Sequence, residues 1–211
     1  MQPATCNFFV VKKKSLNENR KVERPSGLLA IVISFLIIAS ILTQLDVKPD
    51  YSKILDDISL LNENIFRLRL NAFIWLANSV FIIFLGPLIL ITFLPHGRSS
   101  SYLAAFLVSA TGIIYHLYTA TCFNIISIIS EYSSLPDNES SILPSLAFSM
   151  LISKINLQLI AYTLTGISAC ILGLLIVRTG YLPRIIGIMS IAGGLVYAIY
   201  GWLDSENLVF A

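Results

Sequence analysis

Five stretches of this chain run for nearly 20 residues or more without an Asp, Glu, Lys or Arg: 27–45, 70–94, 102–130, 155–177 and 185–203. A bilayer core of about 30 Å is crossed by roughly 20 apolar residues in a helix rising 1.5 Å per residue. Inside lipid there is no water for the backbone amides, so each run has to satisfy them within itself, as a helix. The runs predict an all-α fold, a polytopic transmembrane helix bundle of five spans over residues 27–203. Composition agrees: 56% of the 211 residues are hydrophobic and 12% charged. Soluble domains carry about a quarter charged residues.

A sixth apolar run, 142–152, is half a span long and is followed by Lys154, so it reads as a short extra-membrane or re-entrant helix. Ser141, Ser145, Ser149 and Ser153 give it one polar face, and Pro144 suits a first helical turn. Between Asp46 and Asn64, residues Tyr51, Ile54, Leu55, Ile58 and Leu61 recur at helical spacing, which predicts an amphipathic helix on the outer membrane surface. Residues 1–26 read as a basic, disordered cytoplasmic tail and 204–211 as a short external tail. The first apolar run exceeds the 7–15 residues of a signal-peptide core and no A-x-A site follows it, so a retained anchor is expected.

Orientation follows from the cations, because short cytoplasmic segments retain Lys and Arg. With five spans, Lys12, Lys13, Lys14, Arg20, Lys21, Arg24, Arg98, Arg178 and Arg184 share one side with only Glu18 and Glu23. Lys48, Lys53, Arg67, Arg69 and Lys154 lie opposite, together with the remaining ten acids. The N-terminus is therefore expected in the cytoplasm and the C-terminus outside, in a cell membrane.

Arg178-Thr-Gly-Tyr-Leu-Pro-Arg184 stands between the last two runs. Gly180 supplies the left-handed residue that ends a helix, and Pro183 opens the next without needing its missing N–H. The two arginines hold the turn at the inner interface. The same stretch, continued through Ile185-Ile-Gly187 and followed by Ala192-Gly-Gly-Leu-Val-Tyr197, resembles the closing signature of domain-of-unknown-function family four-three-eight-six, small multi-pass prokaryotic membrane proteins. Ile65-Phe-Arg-Leu-Arg69 before the second span is similar to that family as well, and the similarity covers residues 25–204. It implies architecture and no activity. The family's pattern often has an Asp or His before the fourth span, and Ser153-Lys-Ile-Asn156 has neither, so the resemblance implies no shared acid–base chemistry.

Several function classes are disfavoured. A net charge of +2 without a concentrated basic face excludes nucleic acid as a partner. Cys6, Cys122 and Cys170 form no C-x-x-C pair, so neither a disulfide framework nor a metal site is indicated. No Asp, Glu, Lys or Arg interrupts the spans, which argues against ion-coupled transport. Ser168 lacks the second Gly of a G-x-S-x-G elbow, so no catalytic residue, no enzyme activity and no cofactor are expected.

Polar residues inside spans are costly and so are the candidates for function. Gln44, Asn71, Asn78, Asn124, Asn156 and Gln158 all fall in the outer half of the predicted topology. Arg67, Asn71, Trp75 and Asn78 share one helix face, and Gln158, Tyr162 and Thr165 share another. His116, between Tyr115 and Tyr118, is the titratable residue deepest in the third span. Asn71, Asn78, His116, Asn124, Gln158 and Tyr162 are thus expected to line one outward polar cavity for a small molecule or lipid; interhelical hydrogen bonding is the plainer explanation. Gly187, Ser190, Gly194, Ala198 and Gly201 recur every three or four residues, a smooth stripe for close packing against the fourth helix or a second copy. Tyr197, Tyr200 and Trp202 are expected at the headgroups. Two readings follow. One is a membrane-embedded binding protein, a sensor or permeation accessory; the other is a structural subunit whose small-residue face docks a membrane-protein partner or a homodimer mate.

Overall fold

The structure, a computed structural model, describes residues 27–44, 54–132 and 142–209. The N-terminal tail, Cys6, Tyr51 and Ser141 lie outside them, as do the side chains of Ile54, Leu55 and Tyr200 and the surroundings of Gly201. Among the described residues the fold is entirely helical: α1 Gly27–Thr43, α2 Ile54–Glu63, α3 Ile65–Phe93, α4 Arg98–Tyr132, α5 Leu143–Thr179 and α6 Arg184–Val209. Helices α3, α4 and α5 are each long and apolar enough to cross a membrane; α1 is a shorter apolar helix, and so is α6 over Arg184–Ile199. Successive long helices pack side by side, α3 on α4, α4 on α5 and α5 on α6.

Apolar run 142–152 is not a separate helix. It forms the first turns of α5, whose 37 residues extend without a break through the fourth run. At 1.5 Å per residue that is ~55 Å, well beyond a bilayer core. Lys154 marks a polar level on the helix and not its end, because lysine is a good helix former. Pro144 occupies the first turn, and Ser145, Ser149 and Ser153 are exposed, as the pattern predicts. The opposite face buries Ala147 and Leu151. Similarly, α6 continues through residues 204–209, where a tail is expected from the charges.

Helix α2 has the expected position and a different role. Ile58 and Leu61 are almost fully buried, and the helix rests on α3, α4 and α5, so its apolar face covers the end of the bundle instead of lying on lipid. Helix α1 is tied to α3 by polar contacts. Arg67 donates to the carbonyls of Leu42 and Gln44 at 3.1 and 3.2 Å, closing the C-terminal end of α1 with a cation where the helix dipole favours one.

Two close crossings set the geometry of the bundle. In the α5–α6 hairpin, a Cβ added to Gly166 would lie 2.5 Å from the Gly194 carbonyl, and one added to Gly173 would lie 2.5 Å from that of Gly187. The small residues of both helices therefore meet each other, with Ser190 donating across to the Ala169 carbonyl at 2.8 Å. The stripe on α6 is an intramolecular contact. Its turn is built as the sequence requires: Gly180 has φ 63° and donates to Ile176, and Pro183 accepts from Ile186 just before α6 begins.

In the α3–α4 hairpin, a Cβ at Gly86 would fall on Ser109 Oγ and 2.7 Å from the Ala105 carbonyl. Pro87 lies within α3, which nevertheless stays one helix through Phe93. A proline leaves the carbonyl four residues earlier without its helical donor, and that carbonyl, Ile83, accepts a hydrogen bond from Ser109 Oγ at 3.3 Å. Ser109→Ala is expected to lower the melting temperature of the solubilised protein by about 3 °C, on the order of 1 kcal/mol, because a part-buried acceptor loses its donor. Thr121→Ala, which removes an exposed bond within α4, serves as the control and should leave it unchanged.

Candidate functional site

A cavity of about 210 Å³ lies where α1, α3, α4, α5 and α6 converge. Trp75 and Asn78 border it from α3 and Tyr115 from α4; Thr165 and Ala169 come from α5, and Gly193, Gly194 and Tyr197 from α6. Ile37 of α1 completes the wall. At Gly193 a Cβ would meet nothing within 4 Å, so open space borders the cavity there. On the α6 side, backbone at Gly193 and Gly194 forms part of the wall and the Tyr197 side chain the rest.

The aromatic wall is stiff. Trp75 stacks on Tyr115 with ring centres 4.7 Å apart and planes within 19°, and meets Tyr118 edge-on at 5.7 Å. Lys154 Nζ stands 5.9 Å from the centre of the Tyr118 ring, a cation–π contact that anchors α5 to α4. Tyr115 Oη lies 3.3 Å from Tyr197 Oη and 3.4 Å from Thr165 Oγ1, joining α4, α5 and α6.

Asn78 is the anomaly of the site. It is 0% exposed, and neither its carboxamide oxygen nor its nitrogen has a hydrogen-bond partner. Buried polar groups are nearly always paired, and an unpaired amide costs about 1–3 kcal/mol. Its neighbour on the same face, Asn71, is paired through its nitrogen. Asn71 Nδ2 donates to the Ser40 carbonyl at 2.8 Å and lies 2.9 Å from Thr43 Oγ1, tying α3 to α1. Interhelical bonding therefore explains Asn71 and does not explain Asn78.

The remaining residues expected to share one cavity are dispersed. Gln158 Nε2 donates to Tyr162 Oη at 2.6 Å one turn along α5, and the Tyr162 ring lies 4.7 Å from that of Tyr197. Both thus stand one aromatic ring behind the cavity wall. His116 is exposed on the outside of the bundle, with Nδ1 3.2 Å from Ser79 Oγ. Since successive helical residues are turned about 100°, Tyr115 faces the core and His116 does not. Asn124 and Asn156 are exposed as well. The polar lining drawn from the sequence reduces to Asn78, joined by Tyr115, Thr165 and Tyr197.

Tyr197 was expected in an aromatic belt, yet it is half-buried and turned into the bundle. The signal for this was its place three residues after Gly194, on the packing face of α6. Trp202 is exposed, as a belt residue would be.

A family model described as Domain of unknown function (DUF4386) matches residues 26–210. No curated protein and no solved structure matches the chain.

Proposed function

The chain belongs to the DUF4386 family, a domain of unknown function, and from that premise we propose a membrane-embedded binding protein that holds a small molecule or one end of a lipid in the cavity beside Asn78. The observation that carries this reading is a buried carboxamide with both hydrogen-bonding atoms unpartnered, set in the wall of a cavity. A buried polar group left unpaired calls for an explanation, and in the wall of a cavity a ligand that completes it supplies one. Five crossings, by α1, α3, α4, α5 and α6, fit the charge distribution, with the N-terminus cytoplasmic and the C-terminus external. The unbroken α5 supports this count, because it leaves no turn at which 142–152 could cross separately. Binding without catalysis suits a sensor or permeation accessory.

The structural-subunit alternative loses its main support, since the small-residue face that would dock a partner helix is used within the α5–α6 hairpin. The test is native mass spectrometry on protein taken from membranes in polymer-bounded discs. A bound species at one per chain, surviving exchange of the bulk lipid, is expected. Bare protein masses after that exchange would count against binding.

A further inference from the structure

We infer, resting on the binding reading above, that the cavity takes a neutral amphiphile reaching it from the lipid phase past Gly193: an aromatic or short aliphatic body bearing one group that donates and accepts side by side, such as a primary amide or a protonated carboxylic acid. Size sets the body. An apolar cavity of about 150 Å³ holds benzene, so 210 Å³ has room for a ring and a short polar head. Charge is excluded by the wall. None of the nine lining residues is Asp, Glu, Lys, Arg or His, and burying an ion without a counter-charge costs several kcal/mol.

The polar head follows from Asn78. Its unpartnered nitrogen needs an acceptor and its unpartnered oxygen needs a donor, a few ångströms apart in one plane. A second carboxamide or a neutral carboxyl meets both at once. Asn78 has no accessible surface in this structure, so binding includes a side-chain shift of the wall that opens the carboxamide to the cavity. Such rotamer steps are fast.

The route follows from the glycines. Of the lining residues, Gly193 is the exposed one, and a Cβ added there meets nothing within 4 Å. It lies nine residues into α6, ~14 Å along the helix and near the middle of a bilayer core. Its neighbours Leu195 and Val196 are exposed hydrophobics, as a lipid-facing surface has. A mouth at that depth admits molecules already dissolved in the membrane.

The experiment uses the full chain in lipid nanodiscs at pH 7, with lipid-only discs subtracted, and three probes of similar size: phenylacetamide, ethylbenzene and phenylacetate. Phenylacetamide is expected to bind one per chain at least about tenfold tighter than ethylbenzene, two net hydrogen bonds being worth that much or more. Phenylacetate should show no saturable binding. In Asn78→Leu the amide's advantage should vanish while ethylbenzene still binds, which reports an intact cavity. Gly193→Leu should slow phenylacetamide association several-fold. Equal affinities of amide and hydrocarbon in the wild type, or tighter binding of the anion, would overturn the assignment of the head group; an unchanged association rate in Gly193→Leu would overturn the route. A charged molecule found bound by mass spectrometry would remove this inference and leave the binding reading standing. Bare masses there, together with no saturable probe here, would remove both.

Discussion

Gly194→Leu is expected to lower the melting temperature of the solubilised protein by about 10 °C, whereas Gly193→Leu, one residue earlier, should leave it within about 2 °C. The two glycines differ only in what surrounds them. A Cβ at position 194 would sit 2.6 Å from the Gly166 carbonyl and 3.0 Å from Cys170 Sγ, against backbone that cannot move without separating α5 from α6. Separating them also stretches the bond from Ser190 to Ala169 and loosens the packing at Gly173 and Gly187. Overpacking of this kind costs about 1–3 kcal/mol in cores that can relax, and more where backbone meets backbone. Position 193 opens on free space. A circular-dichroism melt of both variants in one detergent decides the matter, and equal effects would mean that the stripe does not hold the hairpin.

The long apolar helices α3, α4 and α5 were legible because a charged residue in hydrocarbon is costly, so a run of more than 20 residues without one points to a helix that can cross a membrane. Where the helices end was less legible, and for a related reason. Lys154, Asp204 and Glu206 mark where the chain leaves apolar surroundings, but charged residues are compatible with helix, so α5 and α6 run on past them. Gly180 and Pro183 stop helices by backbone geometry, and the turn they define is where the sequence put it. For the site, helical periodicity placed Trp75 and Asn78 together on the inner face of α3. It could not say which other amides would meet them, since that depends on how α4, α5 and α6 are rotated. His116 and Tyr115 are neighbours in sequence, but the ~100° turn between them leaves His116 exposed and Tyr115 buried. Tyr197 has the composition of a headgroup aromatic and the register of a packing residue, and the register decided.

Asn78→Leu is expected to act against the usual direction of a core substitution and raise the melting temperature of ligand-stripped protein by about 5 °C. Leucine has the same number of side-chain heavy atoms as asparagine, branched at the same carbon, and it replaces a carboxamide whose two polar atoms are buried without partners. Removing that desolvation cost is worth on the order of 2 kcal/mol. The same change should abolish retention of the molecule carried from the membrane, so stability is gained where binding is lost, the trade expected of a residue kept for function. The most direct test measures both quantities on one preparation: the melting temperature of stripped wild type and Asn78→Leu, and the small-molecule mass each carries before stripping. A more stable variant that carries nothing, beside a wild type that carries one molecule per chain, is the predicted result. A variant that melts lower than wild type, with neither protein carrying a bound species, would show Asn78 to be a structural residue and contradict the cavity as a binding site.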